Sequence, residues 1–266
     1  RGGFGGGGGG NGITTTTSAG MNYRDELSKK VSVYGNYSFS LRNNDAITSS
    51  LGQTTVPRGI ISRSENGNSS NDNNNHRFNF NMEYRPDSLN YIRFAPSVNY
   101  SSSNSSSNFT SFQTSDFSNE GIIKQDQTTK NISNSKSPLL GGNILFNHRF
   151  RKPGRNLSLF ASVNHSDNEN NTDVDNNIIY YDENTGLPTD SVLHRLIATD
   201  NESLNANTNV NYSEPIGINS LIEFSYDYNY VKYDNSRITN VMDAFGVSRQ
   251  IDSLSNIYNY SFTTNR

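Results

Sequence analysis

The sequence predicts an all-β protein: an antiparallel up-and-down transmembrane β-barrel, of which these residues would form a part with about nine strands. Three observations lead to this prediction. Apolar and polar residues alternate with a period of two in many segments. The connections between these segments are alternately short and long. The chain is hydrophilic on average, with a mean hydropathy of -0.75, yet it contains 15 tyrosines and 14 phenylalanines.

The composition excludes several classes of protein. Only 31% of the 266 residues are hydrophobic, which is low for a soluble globule, but the aromatic content and the net charge of -3 argue against disorder. A membrane barrel needs one apolar face only, so its composition can be this polar. No run of about 18 apolar residues exists, which excludes a transmembrane helix. The absence of cysteine excludes disulfides and cysteine metal sites.

The alternation defines the strands. It is clearest at 31–41, where Val31, Val33, Phe39 and Leu41 share one parity and Ser and Asn dominate the other. Each segment is close to the roughly 10 residues that a tilted membrane strand needs. The predicted strands, of which the first is the weakest, are 13–25, 31–41, 78–84, 92–100, 144–150, 157–164, 204–212, 222–230 and 258–263.

The connections predict how the barrel is oriented. Short segments with turn residues lie at 28–30, 85–88, 151–155 and 214–217, and Pro and Gly stand where tight hairpins require them. Between them lie the long polar segments, which are predicted as loops, at 42–75, 101–137, 166–203 and 233–255. Short periplasmic turns on one rim and long extracellular loops on the other are typical of a bacterial barrel.

Aromatic residues cluster next to the short turns. They would form the periplasmic interface girdle of a barrel, although Tyr and Phe also favour strands in general. The residues concerned are Tyr23, Tyr84, Tyr91, Phe150 and Tyr212.

Low-complexity segments fall in the predicted loops. Residues 1–12 form a Gly-rich loop, and 67–75 and 101–108 consist almost entirely of Ser, Asn, Asp and Gly. The glycine run matches a phosphate-binding pattern only trivially, because no Lys-Ser/Thr follows it. We expect these segments to lie outside a membrane, where water can satisfy their backbone groups.

No motif predicts catalysis. Asp173, Asp175 and Asn177 are spaced like the start of a calcium loop, but Ile178 stands where that loop needs glycine. The four histidines lack metal-ligand spacing, no nucleophile elbow is present, and the basic residues are scattered rather than clustered for nucleic acid. We therefore predict no enzyme activity, no catalytic residue, no cofactor, no metal and no nucleic-acid partner.

The aromatic residues of the long segments are the candidates for contact with an extracellular ligand. Their alternative role is packing against neighbouring segments. They are Phe109, Phe112, Phe117, Tyr180 and Tyr181.

The pattern of strand and turn residues resembles that of a known family. The segments NGITTTTSAGMNYRDELSKKVSVYGNYSFS, NHRFNFNMEYRPDSLNYIRFAPSVNY and NVNYSEPIGINSLIEFSYDYNY are similar to the outer membrane protein β-barrel family, a relative of the TonB-dependent receptor barrel. The resemblance covers essentially the whole chain. It implies the wall of a pore or receptor for ligand uptake in the cell outer membrane of a gram-negative bacterium, in contact with outer-membrane lipid.

The family typically has a carboxypeptidase-regulatory-like domain and a plug before a barrel of about 22 strands. Coupling to TonB-type machinery would run through that plug, which these residues do not include, and the ligand is not implied. The resemblance implies that residues 1–266 are an early-to-middle part of that barrel. An open sheet edge in lipid would leave backbone groups unpaired, and bacterial single-chain barrels have an even number of strands, whereas about nine are predicted here. We therefore expect a larger barrel, and we predict that these residues do not fold alone.

Two other architectures remain open at this point. One is a secreted or surface Asn/Ser-rich adhesin or binding module, built as a β-sandwich or a solenoid. The other is a small complete barrel of about eight strands. A sandwich or solenoid gives no reason to separate short turns from long loops.

Overall fold

A computed structural model describes residues 12–57, 59–117, 121–181, 186–217, 220–243 and 245–266. Nearly all of them lie in β-strands. The elements are β1 (Ile13–Ser28), β2 (Val31–Val56), β3 (Gly59–Tyr84), β4 (Asn90–Phe117), β5 (Gly121–Arg149), β6 (Asn156–Tyr181), β7 (Pro188–Gly217), β8 (Ser220–Met242), β9 (Ser248–Gln250), a 3-10 turn (Asp252–Leu254) and β10 (Asn256–Asn265).

The strands form one antiparallel up-and-down sheet of ten strands, in the order β1 to β8 and then β10, with β9 beside β8. This confirms the predicted all-β antiparallel class. The nine predicted strands all occur, and the three-residue β9 is additional. The sheet is open, because β1 pairs only with β2 and β10 only with β8 among the described strands. No helix within the described ranges is long and apolar enough to cross a membrane.

The short turns follow from their local chemistry. Asp87 closes the turn between β3 and β4 by accepting hydrogen bonds from the backbone of Leu89 (2.8 Å) and Asn90 (2.9 Å). Hydrogen bonds from the Asn90 side chain and the Leu89 backbone hold the pKa of the Asp87 carboxyl below its ordinary value. In the turn between β5 and β6, Gly154 has a φ of 82°, which glycine adopts without strain.

The turn predicted at 214–217 is displaced. β7 continues to Gly217, which pairs with Ser220, so the connection lies beyond the Pro-Ile-Gly signal. The ladder accommodates Pro215 through a register irregularity between Pro215 and Gly217.

The long loops predicted at 42–75, 101–137, 166–203 and 233–255 are wrong as loops: β2 to β8 extend through most of them. Residues 67–75 and 101–108 are paired strand, and Ser103 donates to Asn71 at 3.0 Å across the β3–β4 pair. Ser133 likewise donates to Asn170 at 2.8 Å. Hydroxyl and amide pairs of this kind stabilise a ladder that has no apolar face. The Gly-rich segment 1–12 lies outside the described residues except for Gly12.

The sheet has no hydrophobic core of the usual kind. Among the described apolar residues only Val33, Ala46 and Val231 are buried. The accessible surface is 18070 Å², whereas a compact protein of 29.6 kDa would expose about 11,600 Å². The molecule is therefore a single layer whose two faces both remain uncovered by the described chain.

Candidate functional site

One face of the sheet, here called the apolar face, carries a continuous belt of large apolar side chains. A single row of directly paired residues shows its composition: Val33, Met82, Phe94, Ile144, Ala161, Thr208 and Tyr228. Many side chains of the whole belt are exposed to solvent, for example Leu140 (51%) and Phe224 (61%) in other rows. We call the belt the apolar band; it consists of alternate residues of 31–39, 78–84, 92–100, 138–148, 157–165, 204–212 and 222–230.

The apolar band ends within three successive rows of cross-strand pairs on neighbouring strands. On β6 the next residue of this face after His165 is Asp167, which pairs with Glu202, which in turn pairs with Asp234 of β8. On β4, Ser102 follows Tyr100 in the same way. Isolated apolar residues such as Ile47 and Leu51 lie beyond this level, but their partners Asn68 and Ser64 are polar.

Carboxyl groups crowd this border of the band. Asp200 lies beside Asp167, Glu169 and Glu202, and the pKa of the Asp200 carboxyl is raised by desolvation and by these neighbouring negative charges. Across β8, Lys232 forms an ion pair with Asp234. The border is thus a sharp change from apolar to charged surface.

The opposite face, here called the polar face, is lined mainly by Asn, Ser and Thr in the same strands. Asn79 donates to Asn36 at 3.3 Å, and Asn75 donates to Asn99 at 3.3 Å. The exceptions include charged residues such as Arg93 and apolar residues such as Tyr34 and the paired Leu145 and Phe160. The two faces of the sheet therefore differ in polarity over the same length of strand.

At the end with the short turns, Glu214 organises an ionic and aromatic cluster. Arg155 donates to its carboxylate at 2.7 and 2.8 Å, Lys152 at 2.7 Å and the Tyr212 hydroxyl at 2.5 Å. These hydrogen bonds, that from Arg155 foremost, lower the pKa of the Glu214 carboxyl far below its ordinary value. Phe150 packs edge-on against Tyr212, with ring centroids 6.2 Å apart.

The aromatic residues predicted as a girdle do gather near the short turns, but not all on one face. Tyr23 and Tyr84 belong to the apolar face, and Phe150 contacts Tyr212 of that face. Tyr91 pairs with Asn147 on the polar face, where Arg85 lies 4.9 Å above its ring. Their role at a membrane interface remains a prediction.

The five candidate ligand contacts lie on strands and do not converge. Phe112 and Tyr181 are on the apolar face, and the Tyr181 hydroxyl donates to Asp126 at 2.6 Å. Phe109 and Tyr180 are on the polar face. Phe109 covers Gly67, where a Cβ would lie 2.1 Å from the ring. Phe117 ends β4, and its side chain lies outside what is described.

The residues considered for metal binding are also in strands. Asp173 and Asp175 lie in β6, and His194 contacts Asp173 at 2.7 Å. Within the described part of the chain, no group of three or more His, Cys, Asp or Glu residues is arranged to hold a metal ion.

One strand departs from the common pattern. In a barrel wall the apolar residues of the last predicted strand, 258–263, would share the face of the other apolar residues. Its residues Tyr258, Tyr260 and Phe262 instead pair with Asn235, Tyr233 and Val231 and so lie on the polar face. A shift of one residue in pairing exchanges the two faces of a strand, so alternation alone could not identify the face.

Comparison with known proteins gives no relative: the chain matches no family model, no curated protein and no solved structure.

Proposed function

We propose that this sheet is part of the wall of an outer-membrane β-barrel of the TonB-dependent-receptor type, which serves as a pore or receptor for ligand uptake. The observation that carries the proposal is the apolar band. It occupies one face of seven adjacent strands, it ends within three successive rows of cross-strand pairs, and no second layer of the described chain covers it.

The height of the band fits a membrane. The band covers nine strand residues at 157–165 and nine at 204–212, and five of each nine lie on the apolar face. About 9–11 residues of a strand tilted by about 45° cross the hydrocarbon layer. The charged border at Asp167, Glu202 and Asp234 would then stand just outside the hydrocarbon, where carboxylates remain hydrated.

The polar face would line the lumen. Its Asn and Ser side chains find partners in one another and in water, and such a surface would be costly against lipid. The strand extensions beyond the band are mainly polar, with apolar residues such as Phe112 and Ile132 scattered among polar partners. A mainly polar surface suits hairpins that project into the extracellular medium.

A closed wall requires further strands beside β1 and β10. In lipid each unpaired backbone group at an open edge costs several kcal/mol, so partners must satisfy both edges. Coupling to TonB-type machinery would depend on a plug domain and forms part of this proposal only through the resemblance of the strands.

Single cysteines provide the test, because the chain has no native cysteine to interfere. Val163 and Asn164 are adjacent, exposed, and on opposite faces within the band. In the exported protein, a water-soluble thiol reagent should label Asn164→Cys and not Val163→Cys. Labelling of Val163→Cys should appear once detergent or lipid is removed.

Orientation is tested with a second set of variants in intact cells of a gram-negative host. A membrane-impermeant reagent should label Ser50→Cys, Ser106→Cys and Asp175→Cys in the hairpin extensions. It should label Lys29→Cys and Arg151→Cys in the short turns only after lysis. Equal labelling of Val163→Cys and Asn164→Cys would instead favour a secreted or surface binding module whose two faces both meet water.

A further inference from the structure

We propose that the polar face of β6, β7, β8 and β10 carries a binding site for a neutral oligosaccharide, formed by a polar recess and an adjoining row of aromatic rings. The proposal names a ligand class for the wall proposed above, and it rests on that function only in placing this face in the lumen.

The recess has a volume of about 650 Å³ and is lined only by polar side chains. This volume lies in the usual range for small-molecule sites, about 300–1,000 Å³. The cross-strand register creates it: Asn207 pairs with Ser162 on one side and with Asn229 on the other, and Asn205 pairs with Asn164 one row away. Four neighbouring strands of the sheet thus contribute short amide and hydroxyl side chains to adjacent rows of the same face.

The amides of the recess are free to bind. Among the described residues, the side chains of Asn164, Asn205, Asn207 and Asn229 form no hydrogen bond within the protein, whereas Asn36 and Asn79 elsewhere on this face bond to each other. An amide offers donors and an acceptor together, which matches a hydroxyl group that both donates and accepts.

The charges of the recess balance. Asp227 accepts a hydrogen bond from Asn209 at 2.5 Å, and Arg266 is the one cationic side chain among the residues that line the recess. One carboxylate and one guanidinium favour neither an anionic nor a cationic ligand. They complement vicinal hydroxyls, which can bridge an acceptor and a donor.

Aromatic rings adjoin the recess on the same face. Phe262 precedes the recess residue Thr264 by two positions, and its ring is nearly parallel to that of Tyr260 (7°, centroids 6.3 Å apart). Tyr260 in turn stacks with Tyr233 at 5.2 Å. Half of the Tyr260 side chain is exposed. Rings of this kind provide apolar surface for the C–H faces of successive sugar units, while the amides bind their hydroxyls.

The test measures calorimetric binding to the exported protein, solubilised from the membrane in a detergent that has no sugar head group. The probes are neutral oligosaccharides of glucose, mannose, galactose and xylose, with a sulfated oligosaccharide and a Gly-Ser peptide of similar length as comparisons. At least one neutral sugar should bind, and the sulfated sugar and the peptide should not.

Two pairs of variants assign the binding to this site. Asn207→Ala and Phe262→Leu should each weaken the binding of that sugar about tenfold, which corresponds to about 1.4 kcal/mol. The control for Asn207→Ala is Asn81→Ala, which removes an amide of the polar face outside the recess. The control for Phe262→Leu is Phe224→Leu, which lies on the apolar face of β8. Both control variants should bind the sugar as tightly as the parent protein does. Circular dichroism checks that each variant keeps the β-sheet signal.

Absence of binding for every neutral sugar overturns the proposal, and so does equal binding by the recess variants and their controls. Binding of the sulfated sugar or the peptide in place of a neutral sugar also overturns it. Because cysteine labelling reports the membrane wall independently, a chain that labels as a wall but binds no sugar refutes this inference alone.

Discussion

Single residues at the rim with the short turns hold neighbouring elements together through charge and hydrogen bonds. Glu214 belongs to β7, while Lys152 and Arg155 belong to the turn between β5 and β6. The carboxylate therefore attaches a turn to a strand that is distant in sequence. Tyr212 adds its hydroxyl, so the charge is satisfied from three directions.

Replacement of Glu214 should make stability depend less on pH. The lowered pKa of Glu214 means that its stabilising effect is present above the ordinary glutamate value of 4.5 and is lost as pH falls through the folded-state pKa. Glu214→Gln should therefore lower the Tm at neutral pH, and its difference from the parent chain should shrink in acid. Thermal unfolding across pH measures this.

The matched control is Glu65→Gln, which removes a single ion pair to Arg63, two residues away on the same strand. Exposed pairs of this kind contribute little, so its effect on the Tm should be small at every pH. Equal effects of both substitutions would contradict the role assigned to Glu214.

At the scale of a strand, glycine positions differ in how much space the neighbouring strand leaves. At Gly35 of β2 a Cβ would lie 2.7 Å from the backbone oxygen of Asn79, whereas at Gly52 of the same strand nothing lies within 4 Å. The Phe80 ring covers Gly35. The β2–β3 ladder thus requires glycine at Gly35, whereas a side chain would fit at Gly52.

Gly35→Val should destabilise the sheet by about 1–3 kcal/mol, because the added side chain forces backbone of β3 to move. Gly52→Val should be neutral or slightly stabilising, since valine favours strands and has room there. Urea unfolding in detergent compares the two. A stable Gly35→Val variant would mean that the register of β2 and β3 differs from the one described.

The register of β10 decides which face receives its aromatic residues. Tyr260 pairs with Tyr233, and Lys232 points to the opposite face. In an oxidised double variant, Tyr260→Cys should form a disulfide with Tyr233→Cys and not with Lys232→Cys, since a disulfide needs neighbouring side chains on one face. Gel mobility with and without reductant reads the result, and the reverse preference would move the aromatic row to the apolar face.

At the scale of the whole molecule, a single layer cannot bury its apolar band against itself. The stabilising burial must come from material beyond the described chain, and lipid or detergent supplies it in the proposed function. An exposed apolar surface of this size in water favours association.

In detergent-free buffer the chain should therefore not give a monomer with a cooperative thermal transition. Analytical ultracentrifugation should find aggregates there and a defined species in detergent micelles or lipid vesicles. A monomeric, cooperatively melting species in plain buffer would contradict both the uncovered apolar band and the proposed membrane location.

The sequence by itself determined the features that depend on neighbouring residues. Period-two alternation located nine strands, and turn residues such as Asp87 and Gly154 located the hairpins at one end, because a pleated strand exposes its two faces at alternate positions and a tight turn requires particular backbone angles. The sequence also indicated the residues of the apolar band, because alternate residues of each predicted strand are apolar.

Only the tertiary structure decided the features that depend on register between strands. The Ser- and Asn-rich segments show no alternation, and they become strand because each pairs with a partner strand, as 68–75 does with 101–108. The face of Tyr260 and the meeting of Asn207 with Asn229 likewise depend on which residues pair. Pairing is set by contacts between distant segments, and a slip of one residue exchanges the faces without changing the sequence pattern.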